Sequence, residues 1–325
     1  MLIMSLFADQ IAPYDPELNN FENMHLPPSS AFWLGTDQFG RDLLSRIIHG
    51  TQTALLIGFA AAFSGATLGL VLGVTSAYLG GAFDLLFQRF IDVLIAFPTI
   101  IIALTMVSIF GTELRHVIIA IAIPFIPDAA RIVRSNALSI RQIAYVDAAR
   151  ALGFSTGRII LRHMLPNVMA PYLVILTANI GQAILLEASL SYLGMGVQEP
   201  TPAWGLMLQG GAEEYAESAP WIAFFPGLAI TLSVFGFNLF GDAVRDAACL
   251  AALFSKAIAK PPPGREHEAS GRASVSLTRA RHVSKPPGAK PGLVALKGDV
   301  TTIRVDLGAE GKRLKRLMAT KDVVK

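Results

Sequence analysis

Long apolar runs constrain this chain more than any other feature of its sequence. Each run is long enough to cross a hydrocarbon core of ~30 Å as an α-helix. A soluble domain rarely combines a mean hydropathy of +0.51 with only 16% charged residues, because it needs a charged surface to stay dispersed. The sequence therefore predicts an all-α polytopic membrane protein with about five spans, at 54–78, 91–110, 114–133, 168–190 and 221–240.

The charged loops between these runs predict which way the chain crosses the membrane. Loop 134–167 holds five arginines, whereas loop 191–220 holds four glutamates and neither Lys nor Arg. Since cytoplasmic loops are enriched in Lys and Arg, we expect loop 134–167 and the C-terminus in the cytoplasm. Alternating the spans then places loop 191–220 and the segment 8–50 outside, where Arg41 and Arg46 mildly oppose the rule.

A change of composition near residue 248 predicts where the membrane core ends. Residues 1–248 contain eleven Arg and no Lys, whereas residues 249–325 contain nine Lys and seven Arg in a Pro-, Gly- and Ser-rich context. Such a segment favours disorder. We expect a residual first span and extracytoplasmic segment at 1–50, a transmembrane core at 51–246, and a basic cytoplasmic tail at 247–325. Contact of the tail with anionic lipid or nucleic acid and an extension without a role both stay open.

Several residues inside the spans are candidates for packing or for a pathway. Gly65, Gly69 and Gly73 repeat at four-residue spacing, which lets two helix backbones approach closely, within the subunit or against a partner. Glu187 is an ionisable residue in an apolar run, so a pathway or gating role is one hypothesis and partial hydration near the outer end of the span is the other. For Gln182 and the nearby Asn179 two alternatives stay open. They either line a polar conduit or only form hydrogen bonds between helices.

Motifs for catalysis are missing from the sequence. It contains no G-x-x-x-x-G-K-[ST], no H-E-x-x-H, no G-x-S-x-G and no Cys/His cluster with metal-ligand spacing. The lone cysteine, Cys249, cannot form an intrachain disulfide. We therefore expect no catalytic residue, no metal ligand and no ATP site in this chain. At the cytoplasmic edge, the spacing of Arg89 and Asp92 favours a local pair on one helix or an interface anchor over a functional site.

The segment YVDAARALGFSTGRIILRHMLPN, residues 145–167, is conspicuously charged for a chain of this kind. Helix formers at 141–152 predict a first helix that ends at Gly153, which tolerates a positive φ. Ser155 is a candidate N-cap for a second helix at 156–164, and Pro166 is expected to end it. The sequence thus predicts a cytoplasmic helix–turn–helix with small residues on its turn, a shape suited to docking a separate ATPase.

This segment resembles the EAA loop of the inner-membrane permease subunits of binding-protein-dependent ABC importers. That motif runs E-A-A, three residues, G, nine residues, I, one residue, L-P, and the spacing here is intact, with Asp in place of Glu and His in place of Ile. The resemblance implies docking of an ATPase by Asp147, Ala148, Ala149, Arg150, Gly153, His163, Leu165 and Pro166.

Four other segments resemble the dipeptide/oligopeptide/nickel permease group. They are APYDP (12–16), WLGTDQFGRDLLSRIIHG (33–50), EASLSYLGMGVQEPTPAWG (187–205) and FNLFGDAVRD (237–246). The resemblance implies a type I ABC importer permease fold in the cell inner membrane. It also implies a second homologous permease, two cytosolic ATPases that bind ATP-Mg, and an extracytoplasmic solute-binding protein that delivers peptides. Lipid is an expected partner, and nucleic acid is not.

Both ends of the chain depart from that family pattern. Members usually have six spans, beginning before the APYDP segment, where this chain has only Leu2–Phe7, and they end soon after the RD motif. An inactive truncated or extended relic of a permease is therefore one alternative. A nickel-complex importer is another, and a secondary transporter or membrane scaffold is a third.

Overall fold

The structure is a computed structural model that describes residues 1–258. Within that range the regular structure is helical and no β-strand occurs. A π-helical turn, Ile160–Met164, joins α8 to α9. The helices are α1 (Leu2–Leu6), α2 (Ala8–Ile11), α3 (Leu43–Leu79), α4 (Gly81–Ile95), α5 (Thr99–Phe110), α6 (Leu114–Arg141), α7 (Ala144–Ala151), α8 (Thr156–Ile159), α9 (Leu165–Tyr192), α10 (Trp204–Glu214) and α11 (Trp221–Ile258).

The prediction of an all-α polytopic membrane protein is confirmed. Four helices are long and apolar enough to cross a membrane, and a fifth span is counted if one bent helix pair crosses as a unit. The four are Leu43–Leu79, Leu114–Arg141, Thr156–Tyr192 and Trp221–Ala247, and each contains one of the predicted apolar runs.

The predicted second span at 91–110 is wrong as a single straight helix. The chain there forms α4 and α5, which meet at an angle of 89°. The break falls at Phe97 and Pro98, where proline removes a backbone donor and disfavours the helical conformation of the residue before it. As a result α5, with twelve residues, is only about 18 Å long.

The core of the bundle is built around α3, which packs on α6 and α9. Gly65, Gly69 and Gly73 all face α6, where a Cβ atom on any of them would lie 2.6 Å from the nearest atom of that helix. The glycine row therefore serves close packing within this chain, which decides between the two alternatives that the sequence left open. On the other side of α3, the hydroxyls of Thr67 and Tyr172 lie 2.8 Å apart and link it to α9.

Two hydrogen bonds define the two ends of the bundle. At one end the Trp204 indole donates to the Ile47 carbonyl (3.0 Å), so loop 193–220 lies beside the start of α3. At the other end the Arg141 guanidinium donates to the Ala77 carbonyl (2.9 Å), so the segment 142–164 lies beside the end of α3. The N-terminal segment and the EAA-like segment therefore lie at opposite ends.

The predicted start of the disordered tail at residue 247 is wrong. α11 continues without a break to Ile258. The sequence AACLAALFSKAI at 247–258 is rich in Ala and Leu, the strongest helix formers, which accounts for the extension. The rest of the predicted tail, 259–325, lies outside the described residues.

Candidate functional site

The EAA-like segment forms the predicted helix–turn–helix around Gly153. α7 ends just before this glycine, whose φ of +75° is in the left-handed region. The turn is closed by backbone bonds from Gly153 N–H to the Arg150 carbonyl (2.9 Å) and from Phe154 N–H to the Ala149 carbonyl (3.1 Å). The pattern is that of a glycine-terminated helix, in which the turn satisfies carbonyls that the helix leaves open.

The predicted end of the second helix at Pro166 is wrong. The helix passes from α8 through the π-helical turn into α9, so it is continuous over Thr156–Tyr192. Pro166 lies in the first turn of α9, directly after the π-helical turn, a position where its missing N–H is tolerated. Ser155 occupies the predicted N-cap position, but its side chain makes no capping hydrogen bond.

The residues of the motif divide between an inner and an outer face. Ala149 is only 4% exposed and packs in the same hydrophobic cluster as Val146, Ile159 and Met164. On the opposite side Leu152 is 74% exposed, although it is a large apolar residue. We call the exposed set the loop face; it comprises Asp147, Ala148, Arg150, Leu152 and Gly153.

The remaining residues of the motif, His163, Leu165 and Pro166, follow the turn, in the π-helical turn and the start of α9. The His163 ring is half-buried, 6.1 Å from the Tyr145 ring and 6.0 Å from the Phe154 ring. Leu165 is half-buried against the core, whereas Pro166 is exposed. His163 thus occupies a packing position between aromatic rings, which explains how it stands where the motif has isoleucine.

A polar cleft lies in the middle of the bundle, away from the loop face. Its volume is about 460 Å³. The predicted Gln182 lines it, as does Asn179, while Glu187 does not. The sequence interpretation missed Asp128, although an acidic residue inside the predicted span 114–133 is the signal that could have identified it. The polar lining is Thr99, Asp128, Asn179, Gln182 and Ser189.

Glu187 lies elsewhere in α9 and is only 1% exposed. Its carboxyl accepts a hydrogen bond of 2.7 Å from the Ser191 hydroxyl, one turn further along the helix. The proposed role of Glu187 in a pathway or a gate stays a prediction.

Asp92 pairs across helices rather than with Arg89. Its carboxylate accepts a hydrogen bond of 2.8 Å from Arg131 of α6, so the predicted pair within α4 is wrong. Asp84 of the same helix pairs with Arg134, at 2.6 Å from Nε. Both pairs bind α4 to α6 in the half of the bundle nearer the loop face.

A cluster of four charged residues occupies the opposite end. The Arg41 guanidinium bonds Asp37 at 2.7 Å and Glu199 at 2.7 Å. Arg46, which is fully buried, lies 3.3 Å from Glu199 and 3.6 Å from Asp37. The cluster joins the N-terminal segment to loop 193–220. It also explains why two arginines occur on this side, because both are neutralised by carboxylates.

The local sequence TDQFGRD positions this cluster. Asp37 Oδ1 accepts hydrogen bonds from the backbone N–H groups of Phe39 and Arg41, both at 2.9 Å. Asp42 caps α3 by accepting from the Ser45 N–H at 2.8 Å. The tight turn and the cap together hold Arg41 and Arg46 on the side that faces Glu199.

The cluster predicts an acid-sensitive fold. Burial by itself would raise the pKa of the Glu199 carboxyl, but the Arg41 hydrogen bond and the charges of Arg46 and Arg41 outweigh it and hold that pKa below its usual 4.5. A carboxyl whose pKa is lower in the folded than in the unfolded chain stabilises the fold above the unfolded pKa. This contribution is lost as the pH falls through the folded value.

We expect the unfolding temperature of the wild type to drop as the pH falls below 4.5, and that of Glu199→Gln to drop less. Thermal unfolding in detergent across pH 3–7 measures both. The two curves should converge at low pH, because the wild-type carboxyl is then also neutral. Parallel curves over the whole range would contradict the assignment.

Comparison with known proteins places the chain among transporter membrane subunits. The family described as binding-protein-dependent transport system inner membrane component matches residues 65–248. The chain is 41% identical, over 246 residues, to the dipeptide transport system permease protein DppC of Alkalihalophilus pseudofirmus, covering 76% of this chain and 81% of that protein. It is 44% identical, over 248 residues, to the glutathione transport system permease protein GsiD of Escherichia coli O157:H7, covering 76% and 82%.

A solved structure is similar in fold. The inward-facing MetNI methionine ABC transporter matches with a TM-score of 0.52 at 18% sequence identity, over 63% of this chain and 97% of that one. This similarity supports the fold alone, whereas the family match covers more than half of the chain. The chain therefore belongs to the family of binding-protein-dependent transport system inner membrane components.

Proposed function

We propose that this chain is a permease subunit of an ABC importer for peptides and that it forms the pathway with a second homologous permease. The observation that carries the proposal is the family membership, together with the intact EAA-like turn at the end of the bundle. The relatives named above are a dipeptide and a glutathione permease, and both cargoes are peptides. The cleft, which opens on the surface of the bundle about halfway along α6 and α9, supplies polar groups at membrane depth, which a polar cargo requires.

In this proposal the loop face docks a cytosolic ATPase subunit, and a second ATPase docks on the partner permease. The ATPases bind ATP-Mg, and this chain needs no nucleotide site of its own. An exposed Leu152 beside an exposed Gly153 offers an apolar contact next to a backbone without a side chain, which another protein can approach closely. Arg150 and Asp147, 3.2 Å apart, border this contact with charges of both signs.

The proposed orientation follows from the same assignment. The loop face lies in the cytoplasm, and loop 193–220 lies outside, where an extracytoplasmic solute-binding protein delivers the peptide. The exposed arginines Arg150, Arg158 and Arg162 at the loop end support it under the positive-inside rule. Arg41 and Arg46 lie at the other end of the bundle but do not oppose this orientation, because carboxylates neutralise their charges.

Replacing Leu152 by glutamate tests the docking role. The side chain is 74% exposed, so we expect the fold to be unaffected, while a charge in the centre of the contact should reduce retention of the ATPase at least tenfold. The measurement is a pull-down of the ATPase by the chain from detergent extract. Leu18→Glu is the matched control, because Leu18 is 69% exposed but lies at the other end of the bundle. Equal retention by Leu152→Glu and Leu18→Glu would refute the docking assignment.

A further inference from the structure

The polar cleft has a carboxylate but no basic residue in its lining. Asp128 projects into it from α6, and its carboxylate forms no salt bridge or hydrogen bond with any residue in the described range 1–258. Arg131, one turn further along α6, is engaged with Asp92 instead, at 2.8 Å. The cleft therefore offers a net negative charge to whatever enters it.

The depth of the cleft determines what it can face. Asp128 lies about halfway along α6, and Asn179 and Gln182 lie about halfway along α9. An exposed carboxylate at the centre of a bilayer is costly against lipid, so such a group faces a water-filled cavity or another subunit. The cleft is thus a part of the bundle surface that lipid does not cover.

Two side-chain amides of α9 line the same cleft as the carboxylate. Asn179 and Gln182 are three residues apart, so they share one face of α9. The Asn179 Nδ2 group is buried and has no hydrogen-bond partner within the described part of the chain. A buried donor without a partner is costly, and a carbonyl group of a ligand would satisfy it.

We propose that this cleft is a transit site in which Asp128 accepts the N-terminal ammonium group of a peptide, while Asn179 and Gln182 hydrogen-bond its amide groups. The inference rests on the proposed function and assigns the residues that contact the cargo inside the membrane. A volume of about 460 Å³ is within the range of small-molecule sites. The carboxylate selects for the positive end of the peptide, and the amides suit its backbone without regard to its side chains.

The test uses the complete transporter in proteoliposomes: this chain, its second permease, its ATPases and its solute-binding protein. Two readouts are taken, the uptake of radiolabelled dialanine or glutathione, which both carry a free ammonium group, and the ATP hydrolysis stimulated by the loaded binding protein. For Asp128→Asn we expect uptake to fall at least tenfold while stimulated hydrolysis stays within twofold of the wild type. Asp128→Glu, which keeps the charge, should retain most of the uptake.

Asp242→Asn is the matched control, because it makes the same atomic change in an exposed carboxylate of α11 that does not line the cleft and leaves the Arg131–Asp92 pair intact. It should import at the wild-type rate. Wild-type uptake by Asp128→Asn would overturn the transit site, as would an equal loss in Asp128→Asn and Asp128→Glu, or a joint loss of uptake and hydrolysis. A wild-type complex that imports neither peptide would instead refute the proposed function itself.

Discussion

Replacing Arg46 by methionine should destabilise the chain by about 3–5 kcal/mol, the usual cost of removing one partner of a buried ion pair. The Arg46 side chain is fully buried and donates to Glu199 and, at 3.0 Å, to the Pro16 carbonyl. Without it, the carboxylates of Asp37 and Glu199 share only Arg41. The unfolding temperature in detergent should therefore fall by roughly 10 °C.

Arg115→Met is the control for this experiment, because Arg115 lies 3.5 Å from Glu113 but is 82% exposed. Exposed pairs contribute ~0–1 kcal/mol, so its unfolding temperature should stay close to that of the wild type. Combining Arg46→Met with Glu199→Gln should cost less than the sum of the two single changes, since the residues interact directly. An Arg46→Met protein as stable as Arg115→Met would show that the cluster does not stabilise the fold.

Replacing Gly69 by valine should prevent stable packing of α3 on α6, at a cost of about 3 kcal/mol or more. A Cβ atom at this position would lie 2.6 Å from the Ala129 Cβ, 2.8 Å from the Ile126 carbonyl oxygen and 2.9 Å from the Ala130 nitrogen. Two of these three atoms belong to the backbone of α6, so no side-chain rotation relieves the clash. The yield of monodisperse protein and its unfolding temperature measure the effect.

Gly236→Val is matched to this variant. Gly236 is an exposed glycine within α11, and a Cβ atom there would meet nothing within 4 Å. Both variants add the same side chain to a membrane helix and change helix propensity and hydropathy equally. A large loss for Gly69→Val with little change for Gly236→Val therefore isolates the contact between helices. Similar behaviour of the two variants would mean that the α3–α6 contact tolerates separation.

The features that could be predicted from sequence are those that depend on neighbours along the chain. The small-residue spacing of Gly65, Gly69 and Gly73 indicates a helix contact, and Gly153 indicates a turn between helices, because both follow from local backbone geometry. The segment 91–110 is not the predicted straight helix, because hydropathy counts apolar residues and is insensitive to the break at Pro98. The predicted stop at Pro166 failed for the opposite reason, since a π-helical turn accommodates the proline.

Features that depend on tertiary packing could not be predicted in the same way. Arg41 and Glu199 are 158 residues apart, and no periodicity relates them. The same holds for the cleft, where Asp128 from α6 and Gln182 from α9 meet only because both helices pack beside each other. Gln182 was identified because it is polar in an apolar run. Asp128 was missed, although it too is a polar residue in an apolar run.

The continuous helix over Thr156–Tyr192 has a mechanical consequence. It is a single rod of about 55 Å that begins beside the loop face and carries Asn179 and Gln182 on its shaft. α6, which carries Asp128, is separated from α7 by two non-helical residues, Gln142 and Ile143. We therefore expect a displacement of the loop face to move Asn179 and Gln182 directly, because they lie on the same continuous helix. Asp128 would respond less, because the non-helical residues between α6 and α7 intervene. We therefore expect force applied at the loop to change the width of the cleft.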